Sequence, residues 1–85
     1  MIVIYGTETC SYCKRAIEAC EKYQLDFQYK SIDNEYWNNR NEFKRLFPEA
    51  RTVPQITWNE RVIGGYTDLL QEIEDTIGDY GQGAF

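Results

Sequence analysis

An apolar, β-rich run, Ile2-Val3-Ile4-Tyr5, passes through a short loop, Gly6-Thr7-Glu8-Thr9, into a stretch of helical periodicity, and two cysteines, Cys10 and Cys13, sit at the junction. This opening constrains the fold more than any other feature. From Ser11 to Tyr23 the residues Cys13, Ala16, Ile17 and Cys20 form one apolar stripe, with Lys14, Arg15, Glu18, Glu21 and Lys22 on the other face. Leu25 to Ile32 then alternates, Leu25, Phe27, Tyr29 and Ser31 against Asp26, Gln28, Lys30 and Ile32, which predicts a second strand. A strand–helix–strand unit favours parallel pairing through a right-handed crossover.

Asp33 is a suitable N-cap for a second helix running to about Phe47, with Tyr36, Phe43, Leu46 and Phe47 as its buried face and Pro48 as its stop. Two short strands are predicted at Gln55–Trp58 and Arg61–Ile63, joined by an Asn59-Glu60 turn. Gly64-Gly65 breaks the second of them. A last helix over about Thr67–Ile77 places Leu69, Leu70, Ile73 and Ile77 inward and ends at Gly78. The order β-α-β-α-β-β-α predicts an α/β fold: a four-stranded mixed sheet flanked by helices on both faces. Residues 1–78 are expected to form one domain, with 79–85 a flexible, Gly-rich tail.

Composition narrows the function classes. Eighty-five residues with seven Tyr, four Phe and two Trp suit one compact domain rather than a disordered chain. A formal charge of −5 argues against a nucleic-acid backbone or an anionic membrane surface as partner. The opening residues carry no basic leader and no apolar run approaches membrane-spanning length, so a soluble, cytoplasmic protein is expected. Three cysteines cannot all pair within one chain, and the absence of His removes the commonest metal ligand and general base.

Cys10-Ser11-Tyr12-Cys13 therefore reads as a redox pair. At a helix N-terminus, unpaired backbone N–H groups and the helix dipole favour a Cys10 thiolate, the nucleophilic form. Cys13, one turn inward, is close enough to close a small disulfide ring, so Cys10 is read as the attacking and Cys13 as the resolving thiol. Lys14 and Arg15 either add positive potential there or are ordinary solvated residues. A zinc site would need two further ligands. Only Cys20 remains, on the apolar stripe, where it reads as a small buried hydrophobe; no metal site is expected.

Four features together give the chain, to about Ile77, its resemblance to glutaredoxins of the short bacterial or phage dithiol type: Cys10-Ser11-Tyr12-Cys13 after the first strand, Thr52-Val53-Pro54 before the third, Gly64-Gly65-Tyr66-Thr67-Asp68 opening the last helix, and their order and spacing. The resemblance implies a thioredoxin-like (glutaredoxin) fold. It implies that Pro54 is cis and abuts the cysteines, and that Val53 pairs with glutathione as an added strand would. Gly65, Tyr66, Thr67 and Asp68 would receive the γ-glutamyl end of glutathione at a helix N-terminus, Asp68 taking its α-amino group; capping by Thr67 and Asp68 is the plainer alternative. Tyr12 would line the site, and Arg51, beside Thr52, would meet a glutathione carboxylate.

Two departures from the family pattern matter. Ser11 stands where many members have Pro; its hydroxyl could donate to a Cys10 thiolate, and in the family Ser here sometimes accompanies a glutathione-ligated [2Fe–2S] cluster bridging two subunits, a minor alternative for this chain. Thr7, followed by Glu8, stands where many members have Lys or Arg, which weakens the positive charge near Cys10. The implied activity is glutathione-dependent reduction of protein disulfides and glutathione mixed disulfides by a monomer, with ribonucleotide reductase as a candidate substrate. A redoxin served by a flavoprotein reductase and a non-enzymatic iron–sulfur carrier are the rival readings.

Overall fold

The computed structural model describes residues 1–77. The expectations for the side chain of Ile77, for Gly78 and for the tail 79–85 fall outside the described residues. Seven elements follow in the expected order: β1 (Ile2–Gly6), α1 (Ser11–Lys22), β2 (Phe27–Ser31), α2 (Trp37–Leu46), β3 (Gln55–Trp58), β4 (Arg61–Gly64) and α3 (Tyr66–Ile77). The sheet order is β2-β1-β3-β4. β1 pairs parallel with β2, with Ile4 opposite Tyr29, and antiparallel with β3, with Ile4 opposite Ile56. β3 and β4 are antiparallel.

The pleat of β1 divides the core in two. Ile2 and Ile4 point to one face, where they meet Ala16, Ala19 and Cys20 of α1, Ile56 of β3, and Leu69 and Ile73 of α3. Tyr5 points to the other, with Ile32 and Phe47, and Val3, Phe43 and Leu46 close around them. Two helices thus cover the first face and one covers the second. Cys20 is fully buried among apolar neighbours, as expected of a small hydrophobe, and burial pushes its thiol up to about 11.

The second helix differs from its sequence reading. It begins at Trp37, and its N-cap Tyr36 makes no side-chain capping bond. Asp33 does not cap it. The Asp33 carbonyl accepts from Tyr36 N in a turn, while its carboxylate accepts from Ser31 Oγ at 2.9 Å and Glu8 N at 3.3 Å. The side chain that would have capped the helix ties the β1–α1 loop instead. Tyr36, expected inside, is 46% exposed because it precedes the helix and so misses the apolar stripe. In place of a capped N-terminus, α2 is anchored near its middle: Tyr5 Oη and Lys30 Nζ both donate to Glu42 Oε2, the latter at 2.8 Å.

Candidate active site

Three chain segments meet at one end of the sheet: the end of β1 with the start of α1, the loop before β3, and the end of β4 with the start of α3. Cys10 is the N-cap of α1, extended in backbone (φ −88°, ψ 113°), and its Sγ accepts from Cys13 N at 3.1 Å. A thiol sulfur here does what a Ser or Asp oxygen does at other helix starts, so the helix end itself holds the sulfur in place. Cys10 Sγ also donates to Val53 O at 3.4 Å. The Val53–Pro54 peptide is cis, as the family resemblance implies.

Cys10 is half-buried, whereas Cys13 is only 1% exposed. Burial, and after it the hydrogen bond with Cys10, push the Cys13 thiol up to about 12, against the opposing pull of the Thr7 backbone. One thiol of the pair is reachable and the other is sequestered beneath it. Cys13 lies against the bare Cα of Gly6: a β-carbon on Gly6 would sit 2.3 Å from Cys13 Sγ, well inside contact distance. No reading of the sequence singled out Gly6 for this. The available signal was a glycine closing a buried strand one loop before a cysteine pair.

Beyond Cys10, Tyr12 is 51% exposed, stacks obliquely with Tyr66 at 5.8 Å between centroids, and carries the Arg15 guanidinium 5.1 Å from its ring centre. Arg15 is thus engaged with an aromatic face, while Lys14 and Ser11 are exposed. The hydrogen-bond partners of Cys10 Sγ are Cys13 N and Val53 O; Ser11 Oγ is not one of them. Val53 is half-buried, and its backbone N–H makes no hydrogen bond among the described residues.

Gly64 and Gly65 have different reasons to be glycine. Gly64 has φ +112°, and a β-carbon there would lie 2.4 Å from Asp68 Oδ2. Among the described residues, a β-carbon on Gly65 would meet only Pro54 O, at an ordinary 3.6 Å. Asp68 Oδ2 accepts from Gly65 N at 3.0 Å, so it caps α3 in the manner of the third residue of a capping box. The capping alternative for Asp68 is therefore realised. Thr67, Arg51 and Thr52 are exposed, Pro54 is buried, and Arg51 forms no ion pair among the described residues. Also among the described residues, no cluster of three Cys, Asp or Glu side chains is placed to hold a metal ion.

Comparison with known proteins places the chain in a family. The family model described as Glutaredoxin matches residues 2–63. Glutaredoxin-1 of vaccinia virus (strain Copenhagen) is 31% identical over 83 residues, covering 92% of this chain and 77% of the viral protein. Among solved structures, reduced Escherichia coli glutaredoxin superposes with a TM-score of 0.74 at 30% identity, over 91% of this chain and 96% of that one. Glutaredoxin 1 from Francisella tularensis, complexed with cacodylate, gives 0.70 at 28% identity, over 92% and 95%. A buckwheat glutaredoxin–glutathione complex shares the fold, with a TM-score of 0.72 at 20% identity over 88% of this chain and 69% of that one.

Proposed function

This chain belongs to the glutaredoxin family and is a thiol–disulfide oxidoreductase, and we propose that glutathione is its reductant, with Cys10 as nucleophile and Cys13 as resolving thiol. The observation that carries this reading is the asymmetry of the pair: Cys10 Sγ is held at the mouth of α1 by Cys13 N and Val53 O, while Cys13 is buried beneath it. With a glutathione–protein mixed disulfide, the Cys10 thiolate attacks the glutathionyl sulfur, the protein thiolate departs, and a second glutathione releases Cys10 as oxidised glutathione forms. With a protein disulfide, Cys10 forms the mixed disulfide, Cys13 attacks Cys10 Sγ, the substrate leaves reduced, and two glutathione molecules reduce the Cys10–Cys13 bond. Exchange of this kind is governed by thiolate fraction and leaving-group basicity.

Three features support glutathione as the partner. The Val53 N–H is an open donor next to Cys10 Sγ, suited to a peptide backbone. The first turn of α3 offers backbone N–H groups to a carboxylate, with Thr67 and Asp68 exposed beside them. Gly65 leaves its side of the groove clear although nothing among the described residues requires a glycine there. In this reading Tyr12, Tyr66, Thr52 and Pro54 line the groove and Arg51 meets a terminal carboxylate. Disulfide-bearing proteins are the macromolecular substrates, with ribonucleotide reductase a candidate.

Paired variants test it. Cys10→Ser is expected to abolish all activity. Cys13→Ser is expected to retain turnover of glutathione mixed disulfides and to lose reduction of protein disulfides. Equal losses in both would reverse the assignment, and failure of glutathione alone to reduce the Cys10–Cys13 disulfide would remove it as reductant.

A further inference from the structure

Resolution asks a buried thiol to become a nucleophile. Cys13 must surrender its proton in a place where burial opposes a charge, and of the groups that act on it only the Thr7 backbone favours the thiolate. One further polar group lies close by and is uncommitted. Tyr29, opposite Ile4 in the parallel β1–β2 pair, points to the same sheet face as α1. Its Oη lies 3.2 Å from the place where a Gly6 β-carbon would be, and Cys13 Sγ lies 2.3 Å from the same place. Sulfur and hydroxyl thus converge on the bare Cα of one glycine. Among the described residues Tyr29 Oη has no hydrogen-bond partner.

The same two side chains line a pocket of about 420 Å³, together with Thr7, Glu8, Lys14 and Ile17. None of these residues belongs to the Val53 loop or to α3. The pocket therefore reaches Cys13 by a route separate from the groove assigned above to glutathione, and it gives the Cys13 sulfur and the Tyr29 hydroxyl room to turn toward each other.

We propose that Tyr29 is a positioning residue for the resolving step: its phenolic hydroxyl donates a hydrogen bond to the Cys13 sulfur as that sulfur loses its proton and attacks Cys10. This rests on the reading of Cys13 as the resolving thiol. In the step, Cys13 S–H gives its proton to solvent through the pocket, and the thiolate forms a bond to Cys10 Sγ. The bond from Cys10 Sγ to the substrate sulfur breaks, and the substrate leaves as a thiolate that takes up a proton. The two protein sulfurs are oxidised to a disulfide and the substrate is reduced. Tyr29 keeps its proton throughout. Burial, followed by the nearby Cys13, Asp33, Cys10 and Glu8, pushes its hydroxyl up to about 12, so it is a donor at neutral pH. The titratable and charged groups around Cys13 are Cys10 at the start of its own helix, Tyr29 from β2, Glu8 from the β1–α1 loop, Lys14 at the pocket rim, and Asp33, whose carboxylate holds the Glu8 backbone.

The test is Tyr29→Phe, which keeps the ring and removes the oxygen. In a Cys10→Ser background, alkylation of Cys13 by iodoacetamide, followed on its own peptide by mass spectrometry across the pH range, reads the thiolate directly. The variant is expected to shift that profile upward by about one pH unit, a loss of about tenfold in rate at any fixed pH below the midpoint. In the otherwise unaltered chain, Tyr29→Phe is expected to slow protein-disulfide reduction about tenfold. Turnover of glutathione mixed disulfides, which does not use Cys13, is expected to stay within about twofold. An unmoved alkylation profile would overturn the proposal, and so would an equal fall in both activities, which would make Tyr29 merely structural. Alkylation needs no glutathione, so it decides the role of Tyr29 even if glutathione proves not to be the reductant.

Discussion

Gly6 and Gly65 show how one missing β-carbon can serve two different ends. At Gly6 the space is taken by the sulfur of the buried Cys13. Gly6→Ala is therefore expected to cost about 1–3 kcal/mol by overpacking and to push Cys13 out of line with Cys10. Urea denaturation checks the first effect, and loss of protein-disulfide reduction with mixed-disulfide turnover retained checks the second. At Gly65 an added methyl meets Pro54 O at an ordinary 3.6 Å. Gly65→Ala is expected to leave the denaturation midpoint unchanged and, if glutathione lies along that backbone, to raise KM for glutathione about tenfold, equivalent to about 1.4 kcal/mol of binding. A normal KM would place glutathione elsewhere.

At the scale of elements, the β3–β4 hairpin and α2 are the two that depend least on ideal local sequence. The hairpin turn places Asn59 at φ +52° and Glu60 at φ +70° between paired Trp58 and Arg61, as a two-residue turn of the primed type requires. Asn tolerates that region and Glu does not. Glu60→Gly is expected to stabilise the fold by about 0.5–1 kcal/mol, read as a higher urea midpoint with an unchanged slope. α2 has no fully buried residue and no side-chain cap, so its Glu42 contacts with Lys30 and Tyr5 count for more. The hydrogen bond from Lys30, followed by that from Tyr5, holds the Glu42 carboxyl below its ordinary value of 4.5. The folded value is lower than the unfolded one, so this stabilisation is present above about pH 4.5 and lost as pH falls through the folded value.

For the molecule as a whole, this makes the two faces of the sheet unequal. The α1–α3 face buries Ala16, Ala19, Cys20, Leu69 and Ile73 against the strands, and the α2 face buries Tyr5, Ile32 and Phe47. Local opening follows the poorer packing. Amide exchange, corrected for intrinsic rates, is expected to be faster in α2 than in α1 and α3, and the gap to widen below about pH 4.5. Glu42→Gln is expected to abolish that widening. Uniform protection across the three helices would contradict the unequal faces. The redox end is framed by the better-packed side, since Cys13 belongs to α1, and the Val53 loop, packed against Tyr5, Ile32 and Phe47, reaches it from the α2 side.

Much of this was legible from residue order alone. A β-rich apolar run located β1, and period-3.6 patterns located α1 and α3, to within a residue or two, because each buries an apolar face and the pattern of such a face is written locally; the alternation over Leu25–Ile32 found β2, which the structure trims to Phe27–Ser31. The cysteine pair stood out by its spacing, while the Thr52-Val53-Pro54 and Gly64–Asp68 segments were singled out through the family resemblance; the fold brings all three to one end of the sheet. What tertiary structure decided was every pairing across distance. Asp33 has the makings of a helix cap, yet its carboxylate is taken by Glu8 N and Ser31 Oγ, so α2 starts later and Tyr36 stays in solvent. Glu42 finds Lys30 and Tyr5, and Gly6 brings Cys13 and Tyr29 to one point. Local periodicity states which face of an element is apolar, but a polar side chain bonds whichever partner the packed backbone carries into reach, and only the folded chain determines which that is.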